Sequence, residues 1–219
     1  MSRINEDSLA AVLPDLKGTE KVDALNKIAF KISYKYPDSC LSLAGNALEL
    51  SNALDYKKGE AIGTFNVGNG YFFNDSLKLS VLSYLNALRI FDSIDLCIEK
   101  AYTYQVLAYL NWRAGRLDKS LQYTKNEIAI SYQLSDYQNQ CAALTQASVY
   151  LTESDNFHSA NMYLDDAIIL AESINDSILL KNAYFYKGFN AVKRYEYAAK
   201  EEDLMYCREC IDWNLKVLD

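Results

Sequence analysis

Apolar residues recur along the chain every three or four positions, not every second one. Val81, Tyr84, Leu85, Leu88 and Phe91 form one such stripe, and Ala160, Leu164, Ala167, Ile168 and Ala171 form another. This spacing predicts amphipathic helices. The stripes themselves repeat. Ala-Leu-Glu-Leu begins at Ala47, Ala-Leu-Arg-Ile at Ala87, Glu-Ile-Ala-Ile at Glu127 and Ala-Ile-Ile-Leu at Ala167, so four copies run in register with a period of 40 residues. After each quartet comes an aspartate, Asp55, Asp95, Asp136 or Asp176, where the next helix needs an N-cap. Each period therefore predicts two helices.

Within that register, small and aromatic residues hold fixed places. Counted from a small residue in the first helix, the second copy reads Gly68, Tyr71, Ser80, Tyr84 and Ala87. The third reads Ala108, Asn111, Ser120, Thr124 and Glu127, and the fourth Ser148, Leu151, Ala160, Leu164 and Ala167. The first is looser, with Ile28, Lys31, Cys40, Ala44 and Ala47. A fifth begins at Gly188 and Ala191 and regains register at Cys207, Ile211 and Asn214 only with an insertion within 196–203. The order small, aromatic, small, aromatic, alanine resembles the tetratricopeptide-repeat (TPR) family over roughly residues 20–218. Small residues let a helix approach its partner, and the aromatic ring fills the gap that remains.

The resemblance implies an all-α fold, an α-solenoid of about five antiparallel helix pairs with a short N-terminal capping helix over residues 5–13. The expected division is a cap segment at 1–18 and a repeat domain at 19–219, with repeats near 19–55, 56–95, 96–136, 137–176 and 177–219. The period exceeds the family's usual 34, which predicts longer helices or longer connections. Stacked pairs would leave a long concave surface lined by the first helix of each.

Composition narrows the function classes. With 29 acidic against 22 basic residues and a net charge of -7, the chain has no basic stripe to neutralise phosphates, so nucleic acid is not expected as a partner. Only 2 Pro and 8 Gly agree with helices joined by short turns. The first residues lack the charged and apolar halves of a signal peptide, and no stretch reaches the roughly 18 apolar residues a membrane span requires. The five cysteines are odd in number and scattered, unlike a disulfide framework.

Catalytic and metal chemistry finds little support. The lone His158 follows a turn at Asp155-Asn156-Phe157, with no nucleophile near it in sequence. Cys207 and Cys210 have ligand spacing but no second ligand pair, and both Cys207 and Cys40 stand at a small packing position of the repeat. The glycines of Gly63-Thr-Phe-Asn-Val-Gly68-Asn-Gly70 lack the Lys-Ser/Thr ending of a phosphate loop and read as helix contacts, although Gly70 has no evident reason in the sequence. The clusters Asp165-Asp166 and Glu201-Glu202-Asp203 read as solvated helix face and loop. No enzyme activity, cofactor or metal is expected.

The register places Phe65, Asn69, Phe72, Tyr102, Gln105, Tyr109 and Trp112 along the concave surface of the second and third repeats, and Phe185 and Phe189 in the fifth. Rings with interspersed amides suit a protein or peptide ligand: the rings supply buried area and the amides meet the backbone. The competing reading packs the rings between repeats. The first repeat offers Leu25 and Ala29 where some TPR domains clamp a terminal carboxylate, a departure that argues against a heat-shock co-chaperone. The opening, Asn5 to Leu9, Leu13, Lys21 to Asn26 and Tyr36-Pro37-Asp38-Ser39, resembles the TPR sensor regions of bacterial signalling proteins such as sensor histidine kinases. That resemblance implies a sensing or interaction region, exported if a membrane protein carries it, with Met1-Ser2 in place of a removed signal peptide and further chain beyond Asp219. The alternative is a free-standing assembly or chaperone adaptor, cytoplasmic in that case. A homodimer is compatible with either.

Overall fold

The computed structural model describes residues 13–94 and 97–198. The described residues form nine α-helices and no strand: α1 (Gly18–Ile32), α2 (Pro37–Ala53), α3 (Lys57–Phe73), α4 (Leu77–Phe91), α5 (Ile98–Arg113), α6 (Leu117–Gln133), α7 (Tyr137–Glu153), α8 (Phe157–Ser173) and α9 (Ser177–Ala198). The fold class is all-α, built of antiparallel helix pairs. The capping helix expected over residues 5–13 and the second helix of the fifth pair, with Cys207 and Cys210, lie outside the described residues apart from Leu13.

The 40-residue period comes from long helices, not long connections. Most helices run 15 to 17 residues, and most turns between them have one design. Asp55, Asp75, Gly115, Ser135, Asp155 and Asn175 sit 20 residues apart, save for the undescribed position 95, each with a left-handed backbone at φ 50° to 70°. The residue after each donates its N–H to the carbonyl five positions back, as in Tyr56 to Ser51 (2.9 Å), Arg116 to Asn111 (2.9 Å) and Asn156 to Leu151 (2.9 Å). This is the Schellman closure, which uses carbonyls the helix end leaves unpaired. It also corrects one expectation. Asp136 and Asp176 do cap the next helix, accepting from the N–H of Asn139 and of Ile178 and Leu179 at 3.1 Å. Asp55 instead occupies the left-handed turn position, and Tyr56 is the N-cap.

The helices sort into two compact units, divided within α5 between Thr103 and Tyr104. In the first, α1 packs on α2, α2 on α3 and α3 on α4, while the first helices α1 and α3 also touch. In the second, α6, α7, α8 and α9 pack in succession and α7 touches α9. The repeat positions form the seams. Cys40, Ala44, Ala47, Ser80, Tyr84 and Ala87 are fully buried in the first unit, as are Ser120, Thr124, Ala160, Leu164 and Ala167 in the second. A Cβ on Gly68 would lie 2.7 Å from two ring carbons of Tyr84, so the glycine is what admits the ring. Gly70 has its reason here too: its Cβ would meet Leu41 at 2.6 Å and the Pro37 carbonyl at 3.2 Å, where α2 begins.

Candidate functional site

Across the face formed by the first helices of the first unit runs a cleft of about 300 Å³. From α1 it takes Asp23, Asn26, Lys27 and Phe30, from α3 Lys58, Ile62, Phe65 and Asn66, and from the start of α5 Glu99 and Tyr102. Three rings wall it. Phe30 stacks on Tyr102 with centroids 6.0 Å apart and planes 7° from parallel, and lies 6.0 Å from Phe65, whose far side meets Tyr84 at 5.7 Å. Phe65 is 1% exposed and forms the floor, while Phe30 is 45% exposed and open to a ligand.

Beneath the rings lies a buried polar chain. The Asn26 amide donates to the Gly59 carbonyl (3.0 Å), and the Asn66 amide donates to the Asn26 carbonyl (2.9 Å). The Asn69 amide reaches Asn66 Oδ1 (3.4 Å), and the Tyr84 hydroxyl donates to Asn69 Oδ1 (2.7 Å). These side chains are buried, and pairing them internally offsets the cost of removing them from water. The network ties α1 to α3 and α3 to α4, and so holds the cleft's walls at fixed spacing.

The rim carries charge. On one side the Tyr56 hydroxyl donates to Asp23 Oδ1 at 3.0 Å; burial first, then the Asp23 bond and the Asp23 and Glu99 charges, push this phenol up to about 12. Lys27 and Lys58 are exposed and Glu99 is half-buried. A rim of both signs around aromatic walls can hold an apolar side chain and meet the polar backbone on either side of it. The Cys40 thiol, bonded to the Asn66 carbonyl at 3.3 Å, is pushed up to about 11 by burial, so it stays a protonated packing group. No group of three His, Cys, Asp or Glu side chains among the described residues could hold a metal ion.

Of the residues expected on the groove, the cleft brings together Phe65 and Tyr102. Asn69 is 5% exposed and its amide is committed to Tyr84 and Asn66, so it is no donor to a ligand backbone. Phe65, 1% exposed, serves as floor and not as an open ring. Phe72 is half-buried, edge-on to Phe73 at 5.0 Å. In the second unit Gln105 and Tyr109 are exposed and Trp112 is half-buried, 5.8 Å from Tyr109 and 6.2 Å from buried Tyr150. Phe185 and Phe189 are exposed on α9. In the first repeat Leu25 and Ala29 are both buried, and the cleft is made by Asp23, Lys27 and Phe30. The signal for them was present: Phe30 is a ring three residues beyond Lys27 on an otherwise polar stripe. His158 and Asp165-Asp166 are exposed, and Asp165 pairs with Lys187 at 2.5 Å.

No family model matches the chain, and no curated protein matches it. Solved structures do. BtubC (BKLC) from P. vanneervenii superposes with a TM-score of 0.74 at 14% identity, over 97% of this chain and 82% of that one. A putative kinesin light chain of nearly identical TPR-like repeats from Podosopora anserina gives 0.68 at 10%, over 89% and 97%. The fold is TPR-like. A Rap protein complexed with competence and sporulation factor gives 0.70 at 16%, over 97% of this chain but 59% of that one. The architecture is thus shared with several proteins of low identity, and with no particular class of sensor kinase.

Proposed function

We propose that the chain is a non-catalytic protein-binding module whose first-helix face takes a peptide, with the cleft of the first unit as its anchor point. The observation that carries this reading is the exposed Phe30 ring stacked on Tyr102 over a fully packed Phe65 floor. Such a cleft is at the small end of ligand pockets and suits one apolar or aromatic side chain of a longer partner. Anchors of this kind supply most of the energy in protein recognition. The net charge of -7 favours a partner with exposed basic groups around its apolar anchor.

The finer reading is a sensing or interaction region of a bacterial signalling protein. It draws on the resemblance of residues 5–39 to TPR sensor regions and on the likeness in fold to a Rap protein complexed with competence and sporulation factor. A free-standing adaptor is the alternative, and the reading frame beyond Asp219 separates them: a membrane span and an output domain support sensing, a stop codon the adaptor.

Peptides selected from a random library against the folded protein test the anchor. Their affinity should fall at least tenfold in Phe30→Ala and in Tyr102→Ala, and stay unchanged in Ile169→Ala, which removes an exposed residue of α8. Equal affinity for all three variants would remove the cleft from the proposal.

A further inference from the structure

In three of the four described second helices the alanine of the repeat pattern, Ala47, Ala87 or Ala167, is fully buried at the seam. In α6 that position is Glu127. Its side chain is 1% exposed, and its Oε1 atom has no hydrogen-bond partner. A buried carboxyl with an unpartnered oxygen costs far more than the alanine it replaces, and packing does not call for it, since the other helices close the same seam with a methyl group.

The groups around Glu127 connect it to the surface. Tyr150 of α7 lies within electrostatic reach of it, of Glu153 and of Tyr109; burial first, then the two carboxylates, push that phenol upward. No charged group of α5 or α6 acts on Glu127, and burial alone raises its carboxyl to about 8. Tyr150 is 2% exposed and its ring lies 6.2 Å from Trp112 of α5, whose indole N–H donates to Glu153. A path of electrostatic and ring interactions therefore runs from a buried acid, through one ring, to a half-buried indole on the first-helix face of the second unit.

We propose that Glu127 is a proton-operated switch: protonated, it leaves Tyr150 and Trp112 packed, and on losing its proton it forces them to rearrange on the first-helix face. The physical reason is that the anion cannot stay where it is. It would lie buried with Oε1 unpartnered and no cation acting on it, near a phenol that already feels Glu153. Moving the anion toward water on the α7 side disturbs Tyr150, and with it the indole and its bond to Glu153. The switch lies within the second unit and holds whatever fills the cleft of the first.

Trp112 reports the change directly. The chain has two tryptophans, Trp112 and Trp213, so a Trp213→Phe protein carries one indole. Its emission should shift in a single transition with a midpoint between about pH 7 and 9. The transition should vanish when Glu127→Gln is added, and also in Glu127→Ala, which restores the residue of the other three seams and removes the buried carboxyl. Carbon-13 NMR of the Glu127 carboxyl should show the same midpoint. Emission that is flat with pH, a transition that persists in both variants, or a carboxyl titrating below pH 6 would each overturn the proposal.

Discussion

Phe30 and Phe65 lie 6.0 Å apart in the same cleft, yet truncating them should have opposite consequences. Phe65 is 1% exposed, enclosed by Phe30 on one side and Tyr84 on the other, so Phe65→Ala removes a whole ring from the core and leaves a void that the Asn26 to Tyr84 network prevents from collapsing. Full burial of such a ring puts the loss at about 3 to 5 kcal/mol. Phe30 is 45% exposed, so only about half of the roughly 1.5 to 3 kcal/mol for burying a large apolar side chain is in play, and Phe30→Ala should cost about 1 kcal/mol. Urea denaturation followed by far-ultraviolet circular dichroism measures both, with the library-selected peptide titrated into each folded variant in dilute buffer. The expected pattern is a large stability loss for Phe65→Ala, and a small stability loss with a large affinity loss for Phe30→Ala. If Phe30→Ala destabilises as much as Phe65→Ala, then Phe30 is core and the cleft has no open ring.

Stability should also depend on pH through Glu127. Its folded value of about 8 stands above the ordinary 4.5, so between these values the folded chain holds a proton that the unfolded chain has lost; stability falls as pH rises through that window and levels off above it. At about 1.4 kcal/mol per pH unit the full loss is about 5 kcal/mol. Glu127→Ala should gain on the native protein as pH rises from 4.5 to 8.5, and a stability difference between the two that stays constant over this range in urea titrations would refute this. Gly68→Ala should destabilise by about 1 to 3 kcal/mol despite alanine's preference for helix, because the Tyr84 ring 2.7 Å from the new Cβ is buried and tethered through its hydroxyl to Asn69. A melting temperature equal to or above the native one would show that the ring can retreat.

Much of the fold was legible because repeat proteins write it locally. Ser80, Tyr84 and Ala87 announced a seam that the structure shows fully buried, and the spacing of Asp55, Asp136 and Asp176 announced turns every second helix. What one element cannot announce is which of its flanks a neighbour will cover. Leu25 and Ala29 shared a register with Phe65 and Asn69, and all four proved buried, while the open flank of α1 carried Asp23, Lys27 and Phe30. Asn69 looked like an amide for a ligand because nothing in its own helix reveals that Tyr84 would take its oxygen. Gly70 stayed unexplained until α2 was seen to start against it. Glu127 was visible as an exception to the alanine pattern, but only burial on all sides turns that exception into chemistry.

The most direct test of the binding account is to map a selected peptide onto the protein by backbone amide chemical shifts. The account predicts saturable binding with the largest shifts at Lys27, Phe30, Lys58 and Tyr102, on the adjoining flanks of α1, α3 and α5. Largest shifts around Met162 and Ile169 on α8, or no saturable shifts with any selected peptide, would contradict it.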